Sequence, residues 1–336
     1  MSPPIPSNMR AIVVEKYGSP DDAFVIKSVP TPVVEPGRVL IRVRAFGVNH
    51  AEMHMRRGEW AEDMPIIGIE CVGTVVASPD GKFATGTPVA TFMGGLGRTI
   101  NGSYAQYTSA RVNNVVALDP DAVDRLGWAN VAAIPETYAT AWSCVAQNLE
   151  VSKGDRLLIR GATSALGKAA LKLAIQAGAE VTATTRKEER FGELENIGAK
   201  EVLQESPGLA EKVAGRKWDK VLELVGSSTV VSSLKLVKKG GRLCLAGWLG
   251  GLEPIKEFNP LLQMPSSVHF SLFGSFVLGE EDFPVSDIPL GDILRMISDG
   301  KFEAKPARVF KFEEIAEAHK VMEANEANGK MVVLVE

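Results

Sequence analysis

The sequence is sparing with cysteine: Cys71, Cys144 and Cys244 are the only three in 336 residues, and they stand far apart. Three scattered thiols cannot build a four-cysteine zinc site, and they read as buried side chains. Long apolar runs are also missing. No stretch reaches 18 apolar residues, so no membrane-spanning helix is expected. The opening MSPPIPSNMR lacks the apolar core of a secretory leader, which makes a cytoplasmic location the expectation. Positive charge is not in excess. The formal net charge of −4 removes the global basic character of a nucleic-acid binder. Internal repeats and low-complexity linkers are absent as well.

What is present suggests two domains, from the chain length and an apolar fraction of 45%, ample for sizeable cores. Up to about residue 120 the texture is all-β. Short strands at 9–14, 27–29, 39–45 and 74–77 are separated by Pro30, Pro32, Pro36 and Gly37. From Asp124 the pattern turns helical, and from residue 156 strands and helices alternate to about residue 246. Such alternation implies a parallel sheet covered on both faces. Beyond Asn259 the pattern breaks again, and a last strand at 331–335 is expected to return to the first domain.

Residues 156–190 organise the whole. A short strand at 156–160 is followed by a small-residue turn at 161–167 and an apolar stripe at Leu166, Ala169, Ala170, Leu173, Ala174 and Ala177. That stripe has the period of a helix face. Residues 181–185 then form a second strand, rich in β-branched side chains. Strand, turn, helix, strand is the unit that binds a dinucleotide. The first amides of a helix have no intrahelical acceptor, and the helix dipole favours an anion there. Gly161, Ala162, Thr163, Ser164, Ala165, Leu166 and Gly167 would cradle a pyrophosphate, the small ones letting the backbone approach. The strict G-x-G-x-x-G pattern is absent, and an ordinary strand-to-helix loop is the alternative.

The end of the second strand bears on which dinucleotide. Units that bind NAD usually place Asp or Glu there, to hold the ribose 2′-hydroxyl. Here Thr184 and Thr185 lead to Arg186 and Lys187, with Arg190 one turn further on. Two charge-assisted hydrogen bonds at roughly 1.5–3 kcal/mol each amount to a roughly hundredfold or larger preference for a 2′-phosphate, hence NADPH. The alternative is a solvated basic loop diluted by Glu188 and Glu189.

Taken jointly, VLIRVRAFGVN at 39–49, PIIGIECVG at 65–73, the segments 102–107 and 135–142, the turn at 161–167, residues 240–247 and GKMVVL at 329–334 resemble the medium-chain dehydrogenase/reductase superfamily, in its zinc-independent quinone oxidoreductase-like branch. The resemblance covers nearly the whole chain. It implies an α/β fold: a Rossmann doubly wound parallel sheet plus a GroES-like β-rich catalytic domain. The expected division is 1–127 for the catalytic domain, 128–264 for the NADPH-binding domain, and 265–336 for a segment completing the first. It also implies a cleft between the two domains that holds the nicotinamide, and a homodimer.

Similar zinc enzymes place Cys where this chain has Asn49 and His where it has Ile69. Tetrahedral zinc needs Cys, His or carboxylate, so no metal is expected, although His50, Glu52, His54 and Glu70 lie nearby in sequence. Without a Lewis acid, the expected reaction is hydride transfer to an electron-poor acceptor, a quinone or an α,β-unsaturated carbonyl. The resemblance makes Asn49 the candidate catalytic residue, its amide donating to the acceptor carbonyl; a backbone-binding turn residue is the alternative. Candidate coenzyme contacts beyond the turn and the two cations are Thr137, Gln204, Val225, Ala246, Gly247, Phe273 and Lys330. Thr137 is otherwise a helix cap, and Lys330 otherwise a surface lysine. Trp60 and Trp248 are candidate pocket walls, with a core role open for Trp248. Related enoyl reductases carry a proton-donating Tyr where this chain reads Gly58–Glu59–Trp60. A trans-acting enoyl reductase and a non-enzymatic NADPH-binding protein remain the competing readings.

Overall fold

The computed structural model describes residues 4–336, so Met1, Ser2 and Pro3 of the leader reading lie outside the described residues. The chain forms two compact units. One takes residues up to Glu136 together with Ser275–Glu336, and the other takes Thr137–Gly274.

The second unit is built on a six-stranded parallel sheet. Its order is Glu201–Gln204, Glu180–Thr185, Arg156–Arg160, Trp218–Glu223, Val237–Leu245, His269–Leu272. Strand order reverses between Arg156–Arg160 and Trp218–Glu223, which puts the topological switch point at the turn after Arg160. Leu157, Leu158 and Ile159 are fully buried, as expected of a central parallel strand covered on both faces. The helix Ala165–Gln176 buries Ala169, Ala170, Leu171, Leu173 and Ala174, close to the stripe read from sequence. A core of Leu158, Trp218, Val221, Val230, Leu234 and Leu243 fills this unit. The sequence pattern closes this domain at residue 264. The sheet instead extends to His269–Leu272, because that strand pairs in parallel with Val237–Leu245. At the other end, residues 128–136 cluster with the first unit.

In the first unit the strand Arg38–Val48 changes partner halfway. Residues 38–42 pair with Tyr107–Arg111, and residues 45–48 pair with the closing strand Met331–Leu334, both antiparallel. Its other edge carries Glu70–Ala77, which continues to Pro88–Phe92 and Val115–Ala117. The late strand therefore completes the early sheet, the return expected from the sequence.

The all-β reading of this unit needs a correction. A helix, His50–Arg56, follows Arg38–Val48 directly. At seven residues it is too short to show an apolar stripe, and Val48 runs into it without a break. Its signal is local: Asn49 with Glu52 three residues on, an N-terminal capping pattern. The Asn49 N–H donates to the Glu52 carboxylate at 2.7 Å.

His319 and Tyr104 are buried together in this unit, with Tyr104 Oη 3.1 Å from His319 Nε2. Burial, and then the nearby Arg56 guanidinium and His50, hold the His319 pKa well below 6.5. The unfolded chain thus takes up a proton near pH 6.5 that the folded chain refuses, and stability falls as the pH drops below that value. We expect chemical denaturation midpoints to fall more between pH 7 and pH 5.5 in the wild type than in His319→Gln; equal falls would contradict this.

Candidate functional site

Three neighbouring strands deliver a buried polar cluster in the first unit. Val48 pairs with Met331 in an antiparallel ladder. Asn49, just after Val48, and Lys330, just before Met331, therefore fall side by side. Glu70 opens the strand on the other edge of Arg38–Val48. Lys330 Nζ donates to Glu70 Oε1 and to Asn49 Oδ1, both at 2.5 Å. Asn49 Nδ2 donates to Glu70 Oε1 at 3.0 Å and, more loosely, to Glu52 Oε1 at 3.4 Å. The Ile69 N–H donates to Glu52 Oε1 at 3.0 Å, and the Glu136 N–H to Glu70 Oε2 at 2.9 Å.

Gly47 is required here. A Cβ at that position would lie 2.2 Å from Glu70 Oε1 and 2.6 Å from Lys330 Cε, where no side chain fits. The cluster is nearly sealed: Glu52 and Glu70 are fully buried and Lys330 is 7% exposed. Burial raises the Glu52 pKa to about 7, against the Ile69 N–H and the Lys330 charge, which favour the anion. Burial also pulls the Lys330 ammonium toward neutrality, but Glu70, Glu136 and Glu52 outweigh it and raise its pKa. Lys330 is thus neither a surface lysine nor aimed into solvent.

The Glu52 and Glu70 carboxylates, the acids nearest Asn49, are engaged in this network. Ile69 is buried, and His54 Nδ1 is paired with Glu59 Oε2 at 2.5 Å. Among the described residues no group of three or more His, Cys, Asp or Glu is placed to hold a metal ion. Trp60 lies parallel to His54, ring centroids 6.4 Å apart. The Arg98 guanidinium sits over both Trp60, at 5.6 Å, and Phe276, at 5.5 Å. Trp60 and Arg98 are half-buried, and Phe276 is exposed.

In the second unit the turn after Arg160 has the features a phosphate cradle needs. Gly161 has φ 77°, and a Cβ there would come within 2.9 Å of Leu249 Cδ1. A Cβ on Gly167 would lie 2.7 Å from Ala162 Cα, so the helix packs against the turn without space for a side chain. Ser164 caps the helix: its Oγ accepts from the Gly167 N–H at 3.0 Å and donates to Gly161 O at 2.9 Å. Ala165 and Leu166 occupy the first two helical positions, whose N–H groups lie outside the intrahelical ladder. Thr163 O accepts from Arg190 at 3.4 Å, and Arg190 is further committed to Glu193. Arg186 and Lys187 are exposed, and among the described residues neither forms an ion pair.

Beneath the turn lies a network that the sequence pattern does not reveal. Arg160 is fully buried. It donates to Glu205 through two nitrogens, to Ser206 O at 2.9 Å and to Ser233 Oγ at 2.8 Å, with Glu223 at 3.8 Å. Thr184 Oγ1 donates to Glu205 Oε2 at 2.5 Å and accepts from the Gly161 N–H at 3.1 Å. A carboxylate therefore does stand beside the second strand, supplied by the chain just past the third. Pairing of Gln204 with Thr185 brings it there. It faces inward on Arg160, so its charge is compensated from within. The available signal is a charge next to apolar residues: Arg160 after Leu157, Leu158 and Ile159, and Glu223 between Leu222 and Leu224.

The remaining candidates occupy strand ends of this unit. Gln204 ends the third strand, exposed, in register with Thr185. Val225 donates its N–H to Glu223 Oε1 at 2.7 Å. Ala246 and Gly247 come directly after the strand Val237–Leu245, and a Cβ on Gly247 would lie 2.7 Å from Leu224 O. Trp248 packs against the hydrophobic core while remaining partly exposed. Phe273 is buried, its N–H bonded to Leu245 O at 2.9 Å. Thr137 is buried in the helix Pro135–Trp142.

A doubly wound sheet with a phosphate-type turn, in one chain with a β-rich unit closed by the C-terminal strand, defines a dehydrogenase-type α/β protein. Residues 35–120 match the alcohol dehydrogenase GroES-like domain, and residues 197–333 match the zinc-binding dehydrogenase family. The human quinone oxidoreductase is 27% identical over 97% of this chain and 98% of its own length. A solved NAD-dependent alcohol dehydrogenase shares 26% identity, with a TM-score of 0.80 over 98% of this chain and 100% of that one. The crotonyl-CoA carboxylase/reductase AntE, solved in complex with NADP, shares 25% identity, with a TM-score of 0.81 over 100% and 97%. The chain belongs to the medium-chain dehydrogenase/reductase superfamily, in its quinone oxidoreductase-like branch. It is an oxidoreductase.

Proposed function

We propose that the protein uses NADPH, without a catalytic metal, to reduce a quinone or an α,β-unsaturated carbonyl compound. The observation that carries this reading is the close-packed turn at Gly161 and Gly167 together with Arg186 and Lys187, two exposed cations not spent on the protein's own acids. The N–H groups of Ala165 and Leu166 would hold the pyrophosphate, and Arg186 and Lys187 the 2′-phosphate. When bound, the coenzyme would supply the hydride. Asn49 would donate from Nδ2 to the acceptor oxygen as negative charge develops, exchanging its long contact with Glu52 for the acceptor. An electron-poor acceptor needs little more than this and correct placement. The relatives' names, a quinone oxidoreductase and a reductase solved with NADP, support the reading. Stopped-flow loss of NADPH absorbance tests it, against a panel of quinones and enones with metal-chelated enzyme. Turnover is expected, and its absence across the panel would overturn the reading.

Similarity to a crotonyl-CoA carboxylase/reductase favours reduction of an enoyl thioester as the second reading. Trp60 stands where a proton-donating Tyr would be expected, so protonation would fall to solvent. Faster turnover of an enoyl thioester than of any quinone would select that reading.

We also propose a homodimer and small-molecule rather than nucleic-acid partners, in a cytoplasmic setting. Among the described residues no helix is long and apolar enough to cross a membrane, and the net charge is −4. The strand His269–Leu272 is the last in its sheet and exposes Phe270 and Leu272, a row of unpaired backbone groups with an apolar face. Leu261 and Leu262 are also exposed in this unit. Light scattering should report a dimer for the wild type and a monomer for Phe270→Asp with Leu272→Asp; an unchanged mass would contradict the assignment of that edge.

A further inference from the structure

Lys330 occupies an unusual place. It is an ammonium buried beneath Asn49, and its contacts are an amide oxygen and a carboxylate. An amide is planar, so fixing its oxygen fixes its nitrogen. With Asn49 Oδ1 on the ammonium at 2.5 Å, Nδ2 is turned away from Lys330, toward Glu70 at 3.0 Å and Glu52 at 3.4 Å. The flipped amide would set its NH₂ against the ammonium, donor facing donor, which the low dielectric of a sealed site penalises heavily. The two contacts of Nδ2 are unequal. The hydrogen toward Glu70 is firmly held and the one toward Glu52 is not. A cation on the oxygen also draws electron density from the amide, which makes its N–H groups stronger donors.

We propose that Lys330 is a positioning residue for the reduction. Anchored by Glu70, it locks the orientation of the Asn49 amide and polarises it, so that one Nδ2 hydrogen is kept for the acceptor oxygen. This rests on the reading in which Asn49 donates to the acceptor. It assigns Lys330 to the acceptor side of the chemistry and removes it from the coenzyme contacts. The antiparallel pairing of Val48 with Met331 makes the arrangement a property of the fold, since it sets the two residues side by side. The missing side chain of Gly47 leaves the room it needs.

Replacing Lys330 alone would strand the Glu70 charge and destabilise the unit, so the test uses Lys330→Met combined with Glu70→Gln. That pair removes both charges and leaves an oxygen for Asn49 Nδ2. Lys330→Arg is the conservative variant. With NADPH saturating, the charge-free pair should lower kcat roughly ten- to a hundredfold, less than deletion of a whole oxyanion donor, while the acceptor KM moves by no more than about twofold. Lys330→Arg should recover part of the loss. In an Asn49→Ala background the charge-free pair should cost nothing further, because Lys330 then has nothing to orient. Full kcat in the charge-free pair, or an equal loss in the Asn49→Ala background, would overturn the proposal.

A second readout does not depend on turnover. The side-chain NH₂ resonances of Asn49, assigned by their absence in Asn49→Ala, should move in the charge-free pair and stay near their wild-type positions in Lys330→Arg. Unmoved resonances would overturn the positioning role. A wild type that turns over no acceptor, yet whose Asn49 resonances respond as described, would overturn only the proposed reaction.

Discussion

Replacing Arg186 and Lys187 together by alanine is expected to raise the KM for NADPH roughly a hundredfold or more, the loss of two charge-assisted hydrogen bonds at about 1.5–3 kcal/mol each. The KM for NADH should change by less than about threefold, because screened surface charges contribute little without a phosphate to grip. Both side chains are exposed, so the fold should be unaffected and the melting temperature unchanged. Steady-state kinetics with each coenzyme decide the matter: equal increases in both KM values would place the loss in the fold or the pyrophosphate turn, not in a 2′-phosphate site. The inward-facing Glu205 sharpens the prediction. If its carboxylate were free to meet a ribose hydroxyl, NADH would be the better ligand. Two Arg160 nitrogens and the Thr184 hydroxyl already occupy it.

The second large effect concerns that same network. Arg160→Ala leaves Glu205 and Glu223 buried with no cation, and breaking a buried pair in this way costs about 3–5 kcal/mol. That is a large share of the stability of any domain. Urea denaturation should show a much lower midpoint for Arg160→Ala. A triple variant, Arg160→Met with Glu205→Gln and Glu223→Gln, should recover much of the loss, since no uncompensated charge remains. Burial is what raises the Glu223 pKa, against the opposing pull of Arg160, Ser233 and two backbone N–H groups. Removing Arg160 should raise it further and let the variant regain stability as the carboxyl takes up a proton at lower pH. A small effect of Arg160→Ala at neutral pH would show that Glu205 and Glu223 do not depend on Arg160 for compensation.

The Rossmann half is legible in the sequence because its signals are local. Apolar runs, β-branched strands and a small-residue turn each declare themselves over a few residues, and their succession gives the parallel sheet. A boundary near residue 264 misleads because residues 264–268 form a loop that separates the last strand from the rest of the domain. Only pairing with Val237–Leu245 marks His269–Leu272 as the sheet's sixth strand. The helix His50–Arg56 is hidden by its length, although Asn49 and Glu52 announce it. The polar clusters are the least legible part. Lys330 meets Glu70 across 260 residues and Arg160 meets Glu205 across 45, distances in sequence over which no periodicity speaks. The visible trace is the oddity of charge in apolar surroundings: Glu70 in GIECVG, Lys330 in GKMVVL, Arg160 in RLLIR. A charge in such a setting must find a partner or give up its proton.

The most direct measurement is calorimetric titration of the wild-type protein with NADPH and with NADH at one ionic strength. A grip on the 2′-phosphate by Arg186 and Lys187 predicts NADPH binding tighter by roughly a hundredfold or more. Equal affinities, or tighter binding of NADH, would contradict it.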